Sequence, residues 1–186
     1  MRYILGVFAV IVIAIVAIIL VTRPRGVQQP EGQRQVTLRN QAKEGTSAEL
    51  TTAGKLVGET ERRAIRVTIS QTERRVEILT GYEEAVERAH TFPNTPEAYE
   101  TFLIAIDKQG FARKNPESTS NDERGACPLG KTYIYEFKEF SQQLFRNWSV
   151  SCSTSLGTFG GNAPTIRKLF EAQIPEYRKL VKGVKL

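Results

Sequence analysis

Two cysteines, Cys127 and Cys152, one histidine, His90, and a glycine-rich stretch, Gly157-Thr158-Phe159-Gly160-Gly161-Asn162, are the residues of this 186-residue chain whose types and spacing could do chemistry. Joined as a disulfide, the two cysteines would close a loop of about 25 residues and stabilise the fold by about 3 kcal/mol on the chain-entropy estimate. The plainer reading is two buried, reduced thiols. A thiolate nucleophile with His90 as its base is a third reading, but a disulfide would consume both thiols. A single histidine excludes multi-histidine metal sites, and neither a metal nor another cofactor is expected.

The glycine-rich stretch lies between a strand and a helix that begins near Ala163-Pro164. Such a loop can aim backbone N–H groups and a helix dipole at an anion, which makes Gly157, Thr158, Gly160, Gly161 and Asn162 a candidate ligand loop. No Lys-Ser/Thr follows the glycines as in a Walker loop, and the GxGxxG spacing of a dinucleotide fold is missing. A structural turn is therefore the leading expectation. Ser151, Ser153, Thr154 and Ser155 stand beside it as further hydroxyls. Asn147-Trp148-Ser149 matches a glycosylation sequon but falls inside an expected strand.

Residues 4–21, ILGVFAVIVIAIVAIILV, are an unbroken apolar run. As a helix it would be roughly 27 Å long, close to the hydrocarbon thickness of a bilayer. No A-x-A-like cleavage site follows, and no Cys stands directly after the run as in a lipoprotein signal. The organisation expected is a transmembrane anchor over 1–22, a flexible polar stalk over 23–58, and one domain over 59–186. The basic flank after the run (Arg23, Arg25, Arg34, Arg39, Lys43) favours a cytoplasmic domain by the positive-inside rule, which weakens ahead of a long following segment. A disulfide argues for the opposite side, because such bonds persist in oxidising compartments.

Within the domain, AIRVTIS (64–70) and RVEIL (75–79) alternate apolar and polar residues and read as a hairpin, with a short third strand over 85–92. Thr95-Pro96-Glu97 has the chemistry of a helix start, and Tyr99, Phe102, Leu103 and Ile106 follow at helical spacing until Gly110. Residues 113–125 lack apolar residues except at their margins and read as a mobile loop. Strands over 131–137 and 144–152 form a second hairpin. Setting Cys127 opposite Cys152 places the turn at Glu139-Phe140 and Tyr135 opposite Leu144. One face then gathers Tyr133, Tyr135, Phe137, Leu144, Trp148 and Val150. Because the register that best sorts apolar from polar residues also aligns the two cysteines, a Cys127–Cys152 disulfide is expected rather than two reduced thiols. Helices around Ile166–Ile174 and Tyr177–Val184 close the chain. The fold class expected is α+β, an antiparallel sheet of four to five strands with helices on one face.

The net charge of +6 is unevenly placed: 23–43 and 167–186 each carry +4, while 44–166 carries −3. The expected partners are the lipid bilayer, and anionic lipid or wall polymer meeting the basic stalk and C-terminal helices. No basic run is interleaved with aromatics, so nucleic acid is not expected. CPLGKTYIYEF, NWSVSC, GTFGG and LFEAQIPEY, together with the tether, resemble uncharacterised single-pass, surface-exposed membrane proteins of candidate-phylum bacteria. That resemblance implies a location at the plasma membrane and no chemistry. The function expected is a non-enzymatic binding module of the cell envelope, outside the cytoplasm. The alternatives are a cell-wall enzyme using a Cys or Ser near 151–161, and a cytoplasmic membrane-tethered adaptor.

Overall fold

The computed structural model describes residues 38–118 and 120–186. The apolar run and residues 23–37 of the expected stalk lie outside them. Among the described residues, no helix is long and apolar enough to cross a membrane.

Six strands, β1 (Thr46–Ala53), β2 (Arg63–Ser70), β3 (Glu73–Thr80), β4 (Ala85–Pro93), β5 (Thr132–Glu139) and β6 (Gln142–Val150), form one antiparallel sheet in the order β4-β3-β2-β1-β5-β6. Helix α1 (Pro96–Lys108) links the two halves of the sheet, and α2 (Ala163–Gln173) and a single turn, α3 (Tyr177–Leu180), follow β6. The α+β class holds, with one strand more than the four to five expected.

The extra strand is β1, which corrects the stalk assignment of 23–58. Its sequence, TSAELTTA, has one large apolar residue, so composition reads it as linker. It is instead the centre of the sheet, hydrogen-bonded to β2 on one side and β5 on the other. Neighbours supply the bulk that β1 lacks, and its threonines suit a pleated, half-buried strand. Thr46 is buried at 1% exposure, donating to the Lys43 carbonyl (2.7 Å) and accepting from the Tyr99 hydroxyl (3.2 Å). Burial pushes the Tyr99 phenol up to about 12 despite that bond.

Helix α1 starts as its sequence dictates: the Thr95 side chain accepts from the Ala98 N–H, worth about 1 kcal/mol, and Pro96 occupies the first turn. Tyr99, Phe102, Leu103 and Ile106 are all buried, and Phe102 meets Phe170 of α2 edge to face at 5.0 Å. These helices cover one sheet face, formed by Leu50, Val67, Ile69, Tyr135 and Phe137. The last helix is shorter than expected. Val181 and Val184 still pack on the core, but the chain leaves helical geometry after Leu180 and Gly183 turns at φ +86°.

The β5–β6 hairpin corrects the expected register. Its turn is Phe140-Ser141, Tyr135 pairs with Asn147, Ile134 with Trp148, and a bulge lies at Phe137/Lys138. This is an odd offset from the expected pairing, so it reverses which face of β6 looks at the helices. Phe145, Asn147 and Ser149 share the helix face, whereas Trp148 and Val150 point to the other. Asn147 is fully buried there, and neither its side-chain oxygen nor its nitrogen has a hydrogen-bond partner. Buried in a strand, it is no glycosylation acceptor in the folded chain.

The reversal works because the second face has its own small core of Cys127, Trp148 and Val150, with Ala126 and Ile134 against it. Cys127 is joined to Cys152, with their Cα atoms 6.0 Å apart, so the expected disulfide is present without the expected register. The segment read as a mobile loop is thereby held to the sheet. Arg146 donates to both carboxylate oxygens of Glu123, at 3.1 and 2.5 Å, and that bond holds the Glu123 carboxyl below its ordinary range. Elsewhere this face buries Ala53, Ala64 and Leu79 together and carries an ion ladder. Glu49 (9% exposed) takes Lys138 at 2.6 Å, Arg146 approaches Glu136 at 3.6 Å, and Glu77 takes Arg75 at 2.7 Å.

Opening the crosslink should release this second core. Cys127→Ser, Cys152→Ser and the double variant are expected to lose alike, about 2–5 kcal/mol in denaturant unfolding of the unreduced chain. Trp148 emission should shift to the red as the corner opens. Unchanged stability and unchanged emission would contradict this account.

Candidate functional site

The glycine-rich stretch forms a strap along the outer edge of β6. The Phe159 N–H donates to the Trp148 carbonyl at 2.9 Å, and the Thr158 hydroxyl accepts from the Trp148 N–H at 3.0 Å. On its far side the strap is bound in turn by residues 113–115: the Gly160 N–H donates to the Arg113 carbonyl (2.9 Å), and the Asn115 N–H to the Thr158 carbonyl (2.8 Å). Asn115 also donates from its side chain to the Gly157 carbonyl. Phe159 folds inward and stacks on Tyr135 with ring centres 3.9 Å apart.

Close approach explains the glycines. Gly157 sits at φ +113°, and a Cβ there would run into the Trp148 carbonyl; a Cβ on Gly160 would lie 2.5 Å from the Lys114 carbonyl oxygen. Asn162 caps α2 by accepting from the Thr165 N–H at 3.2 Å, and its own N–H donates to the Gln109 carbonyl. The N–H groups of Phe159, Gly160, Asn162 and Ala163 are thus bonded within the fold, where an anion cradle needs them free.

The serine hydroxyls beside it are engaged too. Ser151 Oγ accepts from the Lys131 N–H at 2.8 Å, and Ser153 Oγ accepts from the Ser155 and Leu156 N–H groups. His90 lies on β4, at the opposite edge of the sheet from β6. Five strand spacings, roughly 24 Å along the sheet, separate it from the cysteines and serines near residue 151. The structure therefore does not bring together the imidazole and any of the nucleophiles considered from sequence.

What sequence reasoning missed is a cavity of about 650 Å³ beside β4, under the C-terminal segment. Its charged lining is Lys55, Arg63, Arg88 and Lys185 against Glu61 and Glu87. Glu87 is already held by Arg63 at 2.9 Å. Lys55, Arg88 and Lys185 make no ion pair among the described residues. Ile78, Val57 and Val184 give it an apolar part. These residues come from segments up to 130 positions apart, so no local motif could have marked them. A second, smaller hollow of about 280 Å³ holds Lys131, Tyr133, Arg167 and Glu171; there the Arg167 guanidinium lies 4.2 Å over the Tyr133 ring.

If the strap is purely structural, Gly157→Ala and Gly160→Ala should each cost about 1–3 kcal/mol through forced backbone shifts. Neither should change binding of polyphosphate or nucleotide to the folded fraction. A variant as stable as the parent that lost such binding would restore the ligand-loop reading. No protein-family model, curated protein or solved structure matches this chain, and what the site does is read from its geometry alone.

Proposed function

We propose that the chain is a membrane-anchored binding module of the cell envelope, held by residues 4–21 at the plasma membrane with its domain outside the cytoplasm. The observation that carries this reading is the Cys127–Cys152 crosslink: it closes the second core of the domain, and such bonds persist where the surroundings are oxidising. The 165 residues that follow the apolar run weaken the opposing argument from its basic flank. The resemblance to single-pass, surface-exposed proteins points the same way.

Binding is favoured over turnover by where the reactive groups lie. Both thiols are used in the crosslink, the serines near 151–155 serve the local chain path, and His90 stands at the far edge of the sheet. The unpaired cations beside β4 offer instead an anionic partner a place to dock. Anionic lipid or wall polymer meeting the basic C-terminal residues belongs to the same reading.

Topology decides it. The chain should stay in the membrane fraction through an alkaline carbonate wash, and protease added to intact spheroplasts should remove the domain. A domain protected in sealed cells would instead establish the cytoplasmic adaptor. Loss of wall turnover on treatment with a cysteine reagent, in cells whose chain carries free thiols, would establish the enzyme.

A further inference from the structure

The two edges of the sheet are finished differently. At one, the 157–160 strap covers β6. At the other, β4 runs for nine residues with every residue except Phe92 exposed. Among the described residues, the only hydrogen bonds that reach its backbone from outside the sheet ladder are those of the Arg74 guanidinium to the Pro93 carbonyl. A long, unpaired strand edge is a template for another extended chain.

We infer that β4 is a docking edge for an extended acidic peptide segment, which adds to the sheet as a seventh strand and directs its carboxylates to Arg88, Lys55 and Lys185. The inference rests on the reading of the domain as a binding module and names the partner chemistry of that module. Charge complementarity selects the occupant. Glu87 and Arg88 of β4 border the 650 Å³ cavity, so a strand laid along β4 passes its mouth. Arg63 already neutralises Glu87, which leaves Arg88, Lys55 and Lys185 opposed by Glu61 alone. On the opposite face of β4, Val86 (52% exposed), next to the bulge at Ile78/Leu79, offers an apolar contact to the alternate side chains of the incoming strand.

A second copy of this chain fits the edge poorly. Two-fold antiparallel pairing of β4 with itself must centre on a residue. Centred on Arg88 it opposes two guanidiniums, and centred on Ala89 it sets Arg88 against His90 while bringing the same cations of both copies together. Charge on this edge thus opposes self-pairing in these two central registers, where an acidic strand is acceptable.

The test uses the full chain in lipid nanodiscs and two end-capped decapeptides, (Glu-Val)5 and (Lys-Val)5. The acidic peptide should bind at least tenfold more tightly than the basic one, and Arg88→Glu combined with Lys55→Glu should weaken it at least tenfold at unchanged melting temperature. N-methylation separates strand addition from simple charge attraction. Only alternate residues of an added strand turn their N–H groups to β4, so methylating all the Glu nitrogens or all the Val nitrogens should abolish binding in one case and spare it in the other. Amide exchange along β4 should slow in the complex, an outcome that does not depend on the variants folding. Equal binding of both methylated peptides, no binding at all, a chain that dimerises through β4, or a poly(glycerol phosphate) that binds as tightly at the same residues would each overturn the proposal. Because topology is read in cells and docking on purified chain, a domain found in the cytoplasm and an edge that binds nothing are distinguishable failures.

Discussion

The covalent link between Cys127 and Cys152 decides how this sheet is covered. An antiparallel sheet normally buries one face and wets the other, and most of this one obeys: helices α1 and α2 lie over Leu50, Val67 and Tyr135, while the opposite face carries the ladder of Glu49, Lys138, Glu136 and Arg146. At the β5–β6 end the rule changes. The crosslink and the Glu123–Arg146 pair hold the chain before β5 against the ladder face, and that contact gives Trp148 a dry place to point, at 1% exposure. Without the link, the largest side chain of β6 would face water.

This local two-sidedness explains both what was legible in the residues and what was not. Strands β2 and β3 turn Val67, Ile69 and Val76 to the helices and bury Ala64 and Leu79 on the other face only near one end, so their alternation marked them within two residues. The Thr95-Pro96 start and Gly110 stop bracketed α1 for reasons of hydrogen bonding that are local. The β5–β6 hairpin buries apolar residues on both faces, and sorting them onto one face required an odd shift of register. The cysteines were paired correctly from that wrong register, because both lie outside the strands, where a shift of two or three residues can be absorbed by the chain. Strand β1 was hidden for a different reason. Two of its buried polar residues depend on partners far away in sequence, Tyr99 for Thr46 and Lys138 for Glu49, so composition alone reads it as unable to fold.

The candidate site divides along the same line. The glycine-rich stretch announces itself in the residues, yet its backbone groups are bonded to β6 and to residues 109–115. The cations beside β4 announce nothing, because Lys55, Arg88 and Lys185 meet only once the sheet and the C-terminal segment are in place. One edge of the sheet is closed by the chain itself, and the other is left exposed.

The account stands or falls with the state of the two thiols in the cell. Membranes from cells expressing the full chain, quenched in acid, unfolded without reductant and treated with an alkylating reagent, report it directly by mass spectrometry. The account predicts that neither Cys127 nor Cys152 is alkylated until reductant is added. Both found alkylated in the unreduced chain would remove the crosslink, the second core it closes, and the placement of the domain outside the cytoplasm.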